Sequence, residues 1–233
     1  LNSHSRRMNG HSMEQLGPEA ISDARAQWRR RQIVDAASRL LERTDFHSMS
    51  MQELAKEAGV SVGLIYQYVP SKEDVLLLLF LDILEAYRRE VPEAMAGVED
   101  PVERLVAGFR AYSTVMAERR FLTVLGYRES KSLDVAGRRR TQELEVETIE
   151  LLAATVREGI EAGMFIEVNA ELIAYDLVAL AQSWALKYWF LHKRFTFESY
   201  VTHQLQLFLT AIFTEQGARE YPQYVIGAPI TEE

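Results

Sequence analysis

The chain has 233 residues, 26 Lys or Arg against 34 Asp or Glu, and a formal net charge of −8. It is 48% hydrophobic and 26% charged, an ordinary balance for a folded protein with one large core or a small and a larger one. Cysteine is absent, which excludes disulfides, thiol catalysis and Cys-ligated zinc and fits a reducing, cytoplasmic setting.

The longest apolar run, Val75–Leu81, is far short of a membrane span, so no membrane partner is expected. Leu1–Leu16 lacks the apolar core of a secretory signal, and Met8 and Met13 are further candidate start residues. The acidic total hides an asymmetry. Residues 1–75 carry ten Lys/Arg and ten Asp/Glu, leaving 16 and 24 for the remainder. The negative excess therefore sits entirely in the later part, while Arg29, Arg30, Arg31, Lys56 and Lys72 lie in the neutral first part.

Residues 1–23 are polar and aperiodic and read as a flexible arm, whose Arg6 and Arg7 are candidate phosphate or minor-groove contacts. A helix is expected over Ala24–Arg43. Its residues Ile33, Ala36, Ala37, Leu40 and Leu41 recur at i, i+3, i+4, i+7 and i+8 and make one apolar face. Ser50 and Glu53 have capping-box spacing, with Met49 and Leu54 placed as a hydrophobic staple. Gly59 is positioned to end that short helix and Ser61 to cap the next, roughly Val62–Tyr68. Pro70 biases Val69 out of the helical region, and Ser71 starts a further helix. Helix, glycine turn, helix over 50–69 is a helix-turn-helix arrangement, which presents its second helix to the DNA major groove.

The run Ser50, Leu54-Ala55, Ala58-Gly59-Val60-Ser61, Gly63, Ile65-Tyr66, Tyr68-Val69, Ser71-Lys72-Glu73 resembles the helix-turn-helix signature of TetR-family transcriptional regulators. Arg31–Leu41 is similar to that family's first helix. Val69 departs from the pattern, where Phe is commoner. Gln67 stands where His or another large residue is frequent, so a base preference does not carry over. The resemblance implies an all-α fold: a three-helix DNA-binding domain over 24–70, an effector-binding and dimerisation domain over 71–218, and an irregular tail over 219–233. It also implies operator DNA, a small-molecule effector and a second copy of the chain as partners, with no cofactor.

Helical spacing turns Ile65 and Val69 inward and leaves Val62, Leu64, Tyr66 and Gln67 toward solvent or DNA. By resemblance, Val62, Leu64 and Gln67 lie where base edges are read, and Tyr66, Tyr68 and Lys72 where phosphates are contacted. Ser61 completes this set. A glutamine can pair bidentately with adenine, apolar side chains meet thymine methyls, and Tyr and Lys suit phosphate oxygens. Simple packing of both tyrosines is the plainer alternative.

Ser71–Glu90 should form a long helix, apolar on all sides and ended by Pro92. Asp100-Pro101 starts another, with Leu105, Phe109, Tyr112 and Met116 on one face. A short helix over Phe121–Tyr127 follows, then a long one from Asp134 to Ala162 stopped by Gly163. Asn169 caps an aromatic-rich helical stretch to His192, and the last helix runs over Phe197–Thr214. The final two helices each have two apolar sides, which suggests a homodimer through them.

Aromatic residues at helical spacing read first as core. The resemblance adds an effector pocket, for which Phe109, Tyr112, Met116, Phe121, Tyr127, Arg128, Trp184 and Tyr188 are the candidates. Tyr127-Arg128-Glu129 leading into a long helix, with Gly159–Phe165 beyond it, is similar to the acyl-CoA-sensing branch. Arg128, Lys131 and Arg138–Arg140 are either CoA-phosphate contacts or an exposed basic patch. A hydrophobic or aromatic xenobiotic is the alternative effector, and activation the alternative to repression. The histidines show no metal-ligand spacing, and neither G-x-S-x-G nor a phosphate-cradling glycine loop occurs, so an enzyme is not expected.

Overall fold

The computed structural model describes residues 18–229, with side chains from residue 25 onward. Arg6 and Arg7 lie outside the described residues. Among those residues the fold is all-α: α1 Pro18–Leu41, α2 Met51–Ala58, α3 Val62–Tyr68, α4 Lys72–Met95, α5 Pro101–Glu118, α6 Arg120–Glu129, α7 Val135–Glu161, α8 Ala170–Leu186, α9 Tyr188–Leu191, α10 Phe197–Ile212 and α11 Glu215–Glu220. No described helix is long and apolar enough to cross a membrane. The chain divides into two compact units after Ser71.

The first unit is α1–α3. Its helix α1 already includes Pro18, ahead of the expected Ala24, and ends at Leu41. Ile33, Ala36, Ala37, Leu40 and Leu41 are buried, as are Leu54, Ala55 and Ala58 of α2 and Ile65 of α3. The Ser50 hydroxyl accepts from Glu53 N–H (3.2 Å), and Glu53 accepts in turn from Ser50 N–H (2.9 Å), closing the capping box. That pairing holds the Glu53 carboxyl below its usual range. Gly59, at φ +66°, makes the left-handed turn that ends α2. The Gln32 amide donates to the Ala58 carbonyl (2.8 Å), and Glu57 takes Arg39 (2.9 Å) and Arg43. Side chains of α1 thus lock the end of α2.

The second unit packs α4 on α5, α6 and α7, with α8 across α5, α6 and α7. Leu76, Leu79, Val91, Val102, Leu105, Phe109, Leu152, Val156 and Leu177 form its core. Capping follows the sequence. Asp100 accepts from Glu103 N–H (2.8 Å), Asp134 from Gly137 N–H (2.6 Å) and Asn169 from Leu172 N–H (2.7 Å).

Three expectations need correcting. Pro92 does not end α4, which continues to Met95. An internal proline forfeits one helical hydrogen bond, but Val91 and Met95 are both buried, and Gly97 at φ +76° follows the helix end. The stretch from Asn169 to His192 is not one helix, because Lys187 leaves helical geometry (φ −112°, ψ 22°) between α8 and α9. The tail expected to be irregular from residue 219 is not so throughout: α11 reaches Glu220, and Pro222–Tyr224 forms a 3-10 turn. Thr214 caps α11 by accepting from Gly217 N–H (3.0 Å). Gly217 reads as a helix breaker, yet a side chain there would collide with the Met164 carbonyl and the Phe213 ring.

Candidate DNA interface and ligand cavity

Helix α3 is placed by two buried anchors, Ile65 and Val69, both with 0% exposure. Ser61 is its cap, with the hydroxyl accepting from Leu64 N–H (3.2 Å). Tyr66 and Gln67 are exposed, and Val62 is half-buried. Leu64 and Tyr68 are also half-buried, lining a narrow crevice with Arg29, Gln32 and Val60. The outward surface of α3 is therefore Ser61, Gly63, Tyr66 and Gln67, with Val62 at its edge. A Cβ added at Gly63 would meet nothing within 4 Å. Lys72 stands on the first turn of α4, in the second unit.

The second unit carries a cavity of about 340 Å³ that opens to solvent beside the exposed Tyr127 and Tyr175. Helix α4 contributes Phe80, Ile83, Leu84 and Tyr87. Helix α5 contributes Tyr112 and Met116, and α6 Leu122, Thr123, Gly126 and Tyr127. Ser130, Leu133, Thr141 and Glu145 close one side, and Tyr175 and Gln182 of α8 another. Of the pocket residues expected from the sequence, Tyr112, Met116 and Tyr127 meet here. Phe109 is instead in the core, and Phe121 and the exposed Arg128 do not line the cavity. Trp184 and Tyr188 pack edge-to-face on each other (5.9 Å), with Arg120 over the Tyr188 ring (4.1 Å).

Polar groups gather on one side. The Tyr127 hydroxyl donates to Gln182 Oε1, and Gln182 is itself buried beside Tyr112 and Glu145. Burial pushes the Glu145 carboxyl above its usual range, partly offset by Gln182. Burial likewise raises Tyr87 and Tyr112 strongly and Tyr127 less. The Tyr87 hydroxyl is buried and meets no partner in hydrogen-bond geometry; Thr123, close enough to draw its pKa down slightly, turns its Oγ1 to the Met116 sulfur (3.1 Å). Among the described lining residues none is Lys, Arg or His. Sequence reasoning passed over Gln182 and Glu145. Gln182 is a polar residue within the buried stripe Ala174, Val178, Ala181, Ala185, and that interruption was the available signal.

A helix-turn-helix head joined to a helical body with a ligand-sized cavity is the organisation of a ligand-responsive transcriptional regulator. The profile of bacterial regulatory proteins, tetR family, matches residues 33–79, and that of the tetracyclin repressor-like C-terminal domain matches residues 98–191. The chain belongs to the TetR family of transcriptional regulators. It is 36% identical over 189 residues to the HTH-type transcriptional regulator HbdR of Aromatoleum sp. (strain CIB), covering 81% of this chain and 82% of that one. It is 26% identical over 132 residues to the fatty acid metabolism regulator protein of Bacillus subtilis (strain 168), 57% of this chain and 68% of that one. Its fold is similar to AibR, solved in complex with isovaleryl coenzyme A and operator DNA: TM-score 0.66, 19% identity, 79% of this chain and 98% of that one. The family and the Aromatoleum and Bacillus relatives are regulators.

Proposed function

We propose that this protein is a cytoplasmic homodimeric repressor, released from a near-palindromic operator when the acyl group of an acyl-CoA thioester enters the cavity. The cavity is the observation that carries the reading: about 340 Å³, with apolar and aromatic side chains on one side and polar groups on the other, drawn from α4 to α8. That volume suits an acyl group rather than a whole CoA. With no cation among the described lining residues, the CoA phosphates belong outside. Arg128, Lys131, Arg139 and Arg140 are the residues proposed to meet them. Arg139 (2.9 Å) and Arg140 (3.8 Å) also pair with Glu143, and Arg138, the third arginine of this run, donates to the Lys131 and Leu133 carbonyls (3.3 and 3.0 Å). The names of the Bacillus regulator and of the AibR complex support the same effector class.

Ser61, Val62, Leu64, Tyr66, Gln67, Tyr68 and Lys72 are proposed to contact DNA. Leu172 and Tyr175 of α8 and Leu207 of α10 are large and exposed, which supports dimerisation through these two helices. A twofold dimer would present its α3 helices about 34–36 Å apart, one DNA turn. The four cavity residues on α4 stand on the helix that follows the head directly in sequence. A ligand that prefers one packing of α4 biases the operator-competent state only through its differential affinity for the two states. Calorimetric titration with hexanoyl-CoA tests the effector class. One site per protomer, binding tighter than free CoA, is expected; no binding across a chain-length series of acyl-CoAs overturns it.

The five aromatic residues in the wall, Phe80, Tyr87, Tyr112, Tyr127 and Tyr175, favour a second reading, a free aromatic compound as effector.

A further inference from the structure

The Tyr87 hydroxyl is unusual in this cavity. Tyr87 is 3% exposed, and its hydroxyl has no partner. Buried polar groups are normally hydrogen-bonded, so an orphan on a cavity wall marks a place where something else supplies the partner. It does not stand alone. Tyr112 stacks on it, Gln182 accepts from the Tyr127 hydroxyl through Oε1 and turns its amide toward Tyr112 and Glu145, and Glu145 completes the group. The remaining wall includes Ile83, Leu84, Met116 and Leu133, which offer only dispersion contacts. The cavity thus has a polar side and an apolar side.

Charge narrows the choice further. A carboxylate seated against the polar side would face Glu145, with no Lys, Arg or His among the described lining residues to balance it; Arg119, near enough to act on Tyr87, is paired with Asp82 and Glu118 (both 3.7 Å). A wholly aliphatic end, such as that of hexanoyl-CoA, would fit but leave the Tyr87 hydroxyl unsatisfied and so bind less tightly than one bearing a polar group.

We infer that the cavity selects a ligand whose buried end is uncharged and carries a hydrogen-bonding group, a hydroxyl or carbonyl, received by Tyr87. Glu145 excludes carboxylates. This rests on the reading of the cavity as the effector site and adds the chemistry of the group that must enter it. It applies to an acyl chain bearing such a group as well as to a free aromatic compound.

The test uses phenol, toluene and benzoate, one ring with three head groups, titrated against the full-length protein near neutral pH by calorimetric or ligand-observed NMR competition. Phenol should bind about tenfold more tightly than toluene, the effect of roughly one net hydrogen bond, and benzoate most weakly. Tyr87→Phe should cut the phenol-over-toluene ratio to about threefold or less while leaving toluene affinity unchanged. Glu145→Gln should raise benzoate affinity alone. Toluene binding as well as phenol, benzoate binding tightest, equal losses of phenol and toluene in Tyr87→Phe, or failure of all three to bind at millimolar concentration would overturn the inference. The result is separable from the CoA reading. Silence toward hexanoyl-CoA with the phenol preference intact removes the thioester and leaves the polar selection standing. Binding of hexanoyl-CoA with no phenol preference does the reverse.

Discussion

Tyr87 of α4 and Tyr112 of α5 stack with ring centroids 4.3 Å apart and planes 14° apart, and both line the cavity. The stack fixes two phenols from different helices on one wall, and each is held protonated by burial. Tyr87→Phe keeps the ring and removes a hydroxyl that has no partner. It should stabilise the ligand-free protein by about 1 kcal/mol, since deleting an unsatisfied buried group recovers its desolvation cost. Urea denaturation of the two proteins measures this; a destabilised variant would show that the hydroxyl is satisfied in the free state.

Glu145 should make stability fall as pH rises. Its folded pKa lies above the usual 4.5, so the folded state holds its proton more tightly than the unfolded chain. Below the unfolded value both states are protonated and burial carries no ionic cost; the cost appears as pH climbs through the folded value and persists above it. Tyr87, Tyr112, Tyr127 and Gln182 are the groups facing it, all neutral through this window. Glu145→Gln should therefore be more stable than the parent above the window and gain nothing below it. Denaturation midpoints of both proteins across pH check the difference, and a constant offset would contradict it.

On the DNA side, Gln67→Ala should relax preference at one base position, at a cost of about 1–3 kcal/mol for the matched sequence. Tyr66→Ala and Lys72→Ala should instead weaken binding to all duplexes alike, and Lys72→Ala should lower the salt slope by about one. Anisotropy titrations on an operator and its single-base variants separate the two behaviours.

Gly63 has open space around its Cβ position, so nothing within the protein requires glycine there. Gly63→Ala should raise stability by about 0.5–1 kcal/mol through helix propensity. It should weaken DNA binding, because a methyl on the outward surface of α3 holds the helix off the groove. Unchanged affinity would remove Gly63 from the interface.

Gly108 is the opposite case. An added Cβ would lie 2.8 Å from the Met95 sulfur and 2.9 Å from Leu152 Cδ2, at the meeting of three helices. Gly108→Ala should destabilise by about 1–3 kcal/mol through overpacking; thermal denaturation reports it.

Local signals were the legible part of this fold. Ser50, Ser61, Asp100, Asp134 and Asn169 all cap helices, and Gly59 and Gly163 turn left-handed, because each depends on one residue and its immediate neighbours. Features decided by burial at a distance were not. Pro92 stays inside α4 because the residues around it are buried, and α11 keeps Gly217 because Met164 and Phe213 crowd it. The cavity illustrates the same limit. Tyr112, Met116 and Tyr127 have helical spacing that suits either core or pocket. The residues that set its chemistry, Tyr87, Glu145 and Gln182, stand on three helices and meet only in the folded second unit.

The most direct test of the account is the affinity of the protein for a duplex recovered by selection from random sequences, measured with and without saturating hexanoyl-CoA. The account expects a dimer on a near-palindromic site and a loss of affinity of at least about tenfold with the effector, roughly 1.4 kcal/mol of coupling. Equal affinities with and without effector, while hexanoyl-CoA is bound, would contradict it.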